Sequence, residues 1–165
     1  MPNKPLIWPA WVLIMAAISL EIVPLPGFMQ PFRLPWAAIA MIYWTMMWPR
    51  RFGLGAAWIV GIILDVLHGT LLGENAFALS IVAYLLLKFH LQIRIFPMWQ
   101  LTATVFALLA INAFVHFWID GVAGISAAGI SRWTQVLIGA MLWPPLMALM
   151  DRVRLQIETR GNAFI

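Results

Sequence analysis

Cysteine is absent from these 165 residues. No disulfide, thiol nucleophile or thiolate metal site can be built, and the redox compartment is left open. Charge is scarce: only 10% of residues are Asp, Glu, Lys or Arg, whereas a soluble domain carries about 25%. Such a chain cannot cover a water-facing surface. No polar stretch exceeds a short loop, so there is no room for a separate soluble catalytic domain, and residues 1–165 read as one domain. The usual enzyme signatures are missing too. There is no Gly-x-Ser-x-Gly, Walker loop, His-Glu-x-x-His or Gly-rich dinucleotide motif, and no catalytic residue or cofactor is expected. Internal repeats and low-complexity segments are also lacking.

What is present is apolar. The chain is 64% hydrophobic with a mean hydropathy of +0.93, which predicts an all-α integral membrane protein. A crossing helix needs roughly 17–25 apolar residues. Six candidates follow along the chain: Ile7–Val23, Leu34–Trp48 (short for a span), Gly53–Leu72, Ala76–Phe96, Met98–Ile119 and Trp133–Met150. Lys4 ahead of the first apolar run gives it the look of a signal peptide. No small-x-small cleavage site follows, so it reads as a retained helix. Breaks fall at Pro24–Pro35, Pro49-Arg50-Arg51, Gly73-Glu74-Asn75, Phe96-Pro97 and Asp120–Ser131, where the Gly121–Gly129 stretch is rich in Gly, Ala and Ser.

Basic residues set an orientation. With six spans, Lys4, Arg50, Arg51, Lys88, Arg94, Arg152, Arg154 and Arg160 share one side, against Arg33 and Arg132 on the other. The richer side is expected to be cytoplasmic, with both termini inside. The pI of about 10.4 does not argue for nucleic acid, because the basic residues are scattered at segment ends. Tryptophans near those ends fit an aromatic belt at headgroup level, and the ten methionines fit packing roles.

The polar residues inside the spans are the candidates for function, since charge in lipid is costly. Gly61, Asp65 and Gly69 recur at i, i+4 and i+8, which puts them on one helical face. Glycines there would let another helix approach closely and turn Asp65 towards protein. Two readings of Asp65 stand: an acid anchored by a neighbouring helix, or a group lining a cavity. His68 lies beside it, but two ligands on one helix make a poor metal site, and no metal is expected. Asn112, His116 and Asp120 form a second stripe at the same spacing on the fifth segment, more consistent with a hydrogen-bonded seam between helices than with a ligand site.

Further residues carry a resemblance. Gly61-x-x-x-Asp65-x-x-x-Gly69-x-x-Leu72-Gly73, then Ala76 and Tyr84-Leu85, is similar to the signature of the MreD family of rod shape-determining proteins. So are Pro24-x-Pro26, Phe32-Arg33, Pro35-Trp36 and Tyr43-Trp44, and the closing Leu142-Trp143-Pro144 with Asp151-Arg152-Val153-Arg154. Pro145 adds a second helix breaker to the last span. The resemblance implies a non-catalytic component of the bacterial inner membrane that supports rod shape and peptidoglycan synthesis. Its implied partners are MreC, the actin-like MreB, the RodA glycosyltransferase and a penicillin-binding transpeptidase. It also implies a fold similar to the substrate-binding subunits of energy-coupling-factor transporters. That supplies an alternative function, a small-molecule-binding membrane subunit, with His68, Asn112 and His116 as possible pocket lining beside the Gly61, Asp65, Gly69 and Gly73 motif.

Overall fold

The computed structural model describes residues 8–23, 34–124 and 129–162, with the side chains of 129–130 and 157–162 left aside. Among the described residues every regular element is a helix. There are seven: α1 (Trp8–Ile22), α2 (Trp36–Met47), α3 (Leu54–His68), α4 (Glu74–Ile93), α5 (Met98–Ala123), α6 (Gly129–Met141) and α7 (Trp143–Asn162).

The centre is α2. Every residue from Ala37 to Met46 is buried, as expected of a helix that is apolar all round. It packs against α1 and α4 and touches α5 and α7, while α3, α4, α5 and α6 pack in succession beside it. Trp44, Tyr43, Phe52 and Trp143 are fully buried. Trp44 sits 4.9 Å from Trp48 and 5.9 Å from Phe52 between ring centroids, and Trp11 closes on Phe52 at 5.3 Å. Such ring pairs add about 0.5–1.5 kcal/mol each beyond simple burial. They pin the end of the bundle that holds the Pro49-Arg50-Arg51 turn. The outer surface is apolar: Ile95 is 82% exposed and Met141 79%, a surface suited to lipid.

The helices depart from the expected spans at several places, the last helix running on to Asn162 rather than Met150, and four of the departures have a local cause. The third segment stops at His68 rather than Leu72, because Gly69 takes a left-handed conformation (φ 64°) and its N–H returns to the Asp65 carbonyl. The fourth begins at Glu74 rather than Ala76, once Gly73 has turned the chain at φ 102°. The fifth runs on to Ala123, past the polar Asp120, and ends at left-handed Gly124. The sixth is two helices, bent by 54° across Leu142. Neither Pro144 nor Pro145 has an N–H to donate four residues back, so the helix breaks there.

By length and composition, α4 and α5 can cross a membrane, and the bent α6–α7 pair would make a third crossing. The apolar helices α1, α2 and α3 are shorter, at 15, 12 and 15 residues. The chain is thus an all-helical membrane protein with two or three candidate spans among the described residues. The Pro24-x-Pro26 and Phe32-Arg33 motifs lie outside those residues, as does 125–128 in the Gly-rich stretch.

Candidate functional site

The polar residues of interest gather at one end of the bundle, where α1, α3 and α5 finish and α2, α4 and α6 begin. Asp65 is the centre. It lies one turn before the end of α3 and is 1% exposed. Its two carboxylate oxygens take five contacts from the segment that follows. The backbone N–H groups of Gly73 and Asn75 donate at 2.8 Å each, the Asn75 side-chain amide at 2.9 Å and the Thr70 hydroxyl at 3.1 Å. The Ala76 N–H lies further off at 3.5 Å. Gly73, Asn75 and Ala76 open α4, where backbone N–H groups have no partner inside the helix. Asp65 therefore caps the helix that follows its own, and its negative charge meets the positive end of the α4 dipole.

That cap requires α3 and α4 to lie close together, and Gly61 allows it. A Cβ built on Gly61 would fall 2.2 Å from the Ala76 Cα and 2.4 Å from its nitrogen. The helices touch backbone to backbone one turn below Asp65. Gly69 does something else. A Cβ there would meet nothing within 4 Å, so it is a turn residue with a left-handed backbone and not a surface for close helix approach. Gly73 likewise serves the turn. The two outer glycines of the motif reverse the chain, and the first packs it.

A second carboxylate repeats the device. Glu21, near the end of α1, accepts from the Ala37 N–H at 2.8 Å, in the first turn of α2. Two hairpins are thus closed in the same way, each by an acid from the leading helix set on the amino end of the next.

Two residues of the stripe on α5 bridge to two different helices. His116 Nδ1 is hydrogen-bonded to Glu74 Oε1 on α4 at 2.6 Å, and Arg132 of α6 donates to Asp120 at 2.8 Å. Asn112 makes no such bridge, and its buried Oδ1 lacks a hydrogen-bond partner among the described residues. Neither Asn112 nor His116 reaches Asp65. Glu74, expected in a loop, is instead the first residue of α4 and is buried. Tyr84 lies on the exposed side of α4.

These groups surround a cavity of about 360 Å³. His68, Asn112 and His116 all line it, together with Glu21, Glu74 and Arg132. The rest of its wall mixes Thr70, Asn75 and Gln135 with apolar residues, Leu64, Leu79, Leu109 and Ala113 among them. No group of three or more His, Cys, Asp or Glu able to hold a metal occurs among the described residues.

The family described as rod shape-determining protein MreD matches residues 3–153, a span that contains the whole Asp65 turn. The chain belongs to the MreD family. The rod shape-determining protein MreD of Haemophilus influenzae is 26% identical over 146 residues, covering 86% of this chain and 88% of that protein. No solved structure matches. A structural likeness to energy-coupling-factor subunits therefore has no support from known folds. Family membership makes the chain a rod-shape-determining membrane component.

The opposite end of the bundle holds a contact between two of the MreD-like segments. The Tyr43 hydroxyl of α2 donates to Asp151 of α7 at 2.5 Å, and Arg154 lies 3.7 Å from the same carboxylate. These residues are 108 apart in the chain, so no local spacing could pair them. The Asp120–Arg132 bridge was equally invisible, since it spans a Gly-rich stretch of unpredictable course. Asn75 could have been found: it stands two residues after a Gly turn, at the start of a helix that needs a cap.

Proposed function

We propose that this chain is a non-catalytic component of the machinery that elongates rod-shaped bacterial cells. On this proposal it sits in the inner membrane, crosses it six times and keeps both termini in the cytoplasm. It binds MreC within the membrane and works beside MreB, RodA and a penicillin-binding transpeptidase in peptidoglycan synthesis. The single observation behind this is the MreD-family match across residues 3–153. The charge asymmetry of eight basic residues against two supports the orientation. The bent α6–α7 pair counts as one crossing, and the three short apolar helices reach across a locally thinned bilayer or with flanking residues.

The Asp65 turn fits a scaffold. Its carboxylate is spent on holding α3 against α4, so a partner would meet a fixed surface rather than a reactive group. The experiment is depletion of the chain in its own rod-shaped host. Cells should widen and round up, and a plasmid copy should restore rods. Cells that keep a normal diameter through several generations without the chain would refute the role.

A further inference from the structure

Nothing inside the bundle accounts for Tyr84. It is 56% exposed on α4, a helix long and apolar enough to cross a membrane. Tyr84 lies ten residues from the start of α4 and nine from its end, at Glu74 and Ile93. At about 1.5 Å per residue that is roughly 15 Å from either end, near the middle of a hydrocarbon core about 30 Å thick. Tyrosines of membrane proteins gather at headgroup level instead, where the hydroxyl is wet. The chain has one other tyrosine, Tyr43, and its hydroxyl donates to Asp151. The Tyr84 hydroxyl has no partner among the described residues. Nor can it turn back on its own helix. Ser19 and Thr102 give their hydroxyls to the carbonyl four residues back, but the tyrosine ring holds its hydroxyl too far from the backbone. Left in lipid, a hydroxyl without a partner is unfavourable.

The residues around Tyr84 form a seam. Phe77, Ile81, Tyr84, Lys88 and Leu91 follow at steps of four, three, four and three, and each is exposed or half-buried. That average of 3.5 is the repeat along which one helix packs on another. At this depth a helix is the protein element that can arrive from lipid with its backbone satisfied. Tyr84 and Lys88 present donors one turn apart, and the single acid of α4, Glu74, is buried. A second copy related by a two-fold axis would set Lys88 against Lys88, like charge on like. We propose that this face of α4 docks a transmembrane helix of a different protein, which offers a hydrogen-bond acceptor to Tyr84 at mid-bilayer. The depth rests on the membrane placement under the proposed function, and not on which rod-complex protein supplies the helix.

The test uses the full chain in its own membrane. The photocrosslinking residue p-benzoylphenylalanine is placed at Phe77, Tyr84 or Leu91, and at Val12 of α1, which is 53% exposed, as the control. The three α4 positions should join a span of another protein more strongly than Val12 does. Peptide mapping should find a Ser, Thr, Asn, Gln, Asp or Glu within one turn of the residue joined at position 84. Adducts with lipid alone, with a second copy, or with a span lacking such a residue overturn the proposal. On the rod-complex reading the span is that of MreC; the span of a protein outside the complex would refute that reading and leave this surface standing. Tyr84→Phe supplies the second readout. It should leave the melting midpoint of the purified chain unchanged and lower the partner retained per folded chain about threefold, as for a typical hydrogen bond between membrane helices. Undiminished retention, or a lower midpoint for the chain alone, overturns the proposal.

Discussion

Replacing Asp65 tests how the α3–α4 hairpin is held. All five of its contacts are donors: three backbone N–H groups, an amide and a hydroxyl. Asp65→Leu leaves the Gly73 and Asn75 N–H groups, each 2.8 Å from a carboxylate oxygen in the wild type, without an acceptor. A buried donor without a partner costs about 1–3 kcal/mol, so this pair costs about 2–6 kcal/mol. Whole-protein stability is about 5–15 kcal/mol, and Leu is therefore a severe change. Asp65→Asn is milder but not silent. In one orientation its new NH2 faces the Gly73 N–H; flipped, it faces the Asn75 N–H. One backbone donor is lost either way, at about 1–3 kcal/mol. At about 2–4 °C per kcal/mol for a chain of this size, Asn should lower the melting midpoint by about 2–12 °C and Leu by roughly twice as much. Thermal unfolding followed by tryptophan fluorescence in detergent gives the order. Wild-type stability for Asn, or equal midpoints for Asn and Leu, would show that the carboxylate does not cap α4.

Three further perturbations probe other contacts. Gly61→Ala should destabilise markedly, since its Cβ would lie 2.2 Å from the Ala76 Cα, whereas Gly69→Asn, suited to a left-handed turn, should cost less than about 1 kcal/mol; fluorescence-detected size exclusion after heating separates them, and similar losses would contradict the split of roles. Tyr43→Phe removes the donor to Asp151 and should cost about 1–3 kcal/mol, with Asp151→Asn added on top costing less than it does alone; full additivity would mean that the pair does not interact. For topology, Arg51→Cys and Arg160→Cys should resist an impermeant thiol reagent in intact cells while Gly121→Cys reacts, and labelling of Arg51→Cys from outside would sink the orientation.

How much of this was legible in the residues follows from distance along the chain. The membrane class came from composition, because 10% charge cannot solvate a surface. The helix order came from proline and glycine punctuation, and Pro97 and Gly124 act on neighbouring backbone. The Gly61–Gly73 block suggested close helix packing, yet spacing alone could not distinguish a glycine that packs from one that turns. Gly61 and Gly69 sit eight residues apart with the same side chain, and only backbone geometry shows one against Ala76 and the other at φ 64°. Hydropathy also runs straight through the turn at Leu71 and Leu72, so it marks neither the end of α3 nor the start of α4. The pairs that shape the cavity, His116 with Glu74 and Arg132 with Asp120, depend on which helices become neighbours. That choice is made by packing in three dimensions and leaves no periodic trace.

Partner capture is the sharpest test of membership in a rod-shape complex. A tagged chain would be purified in mild detergent from its own membrane, and the bound proteins identified and quantified by mass spectrometry. A single-span MreC protein should be retained in near-constant proportion, with RodA or the transpeptidase enriched beside it. An ATPase module in that place, or no rod-complex protein above an untagged control, would contradict it.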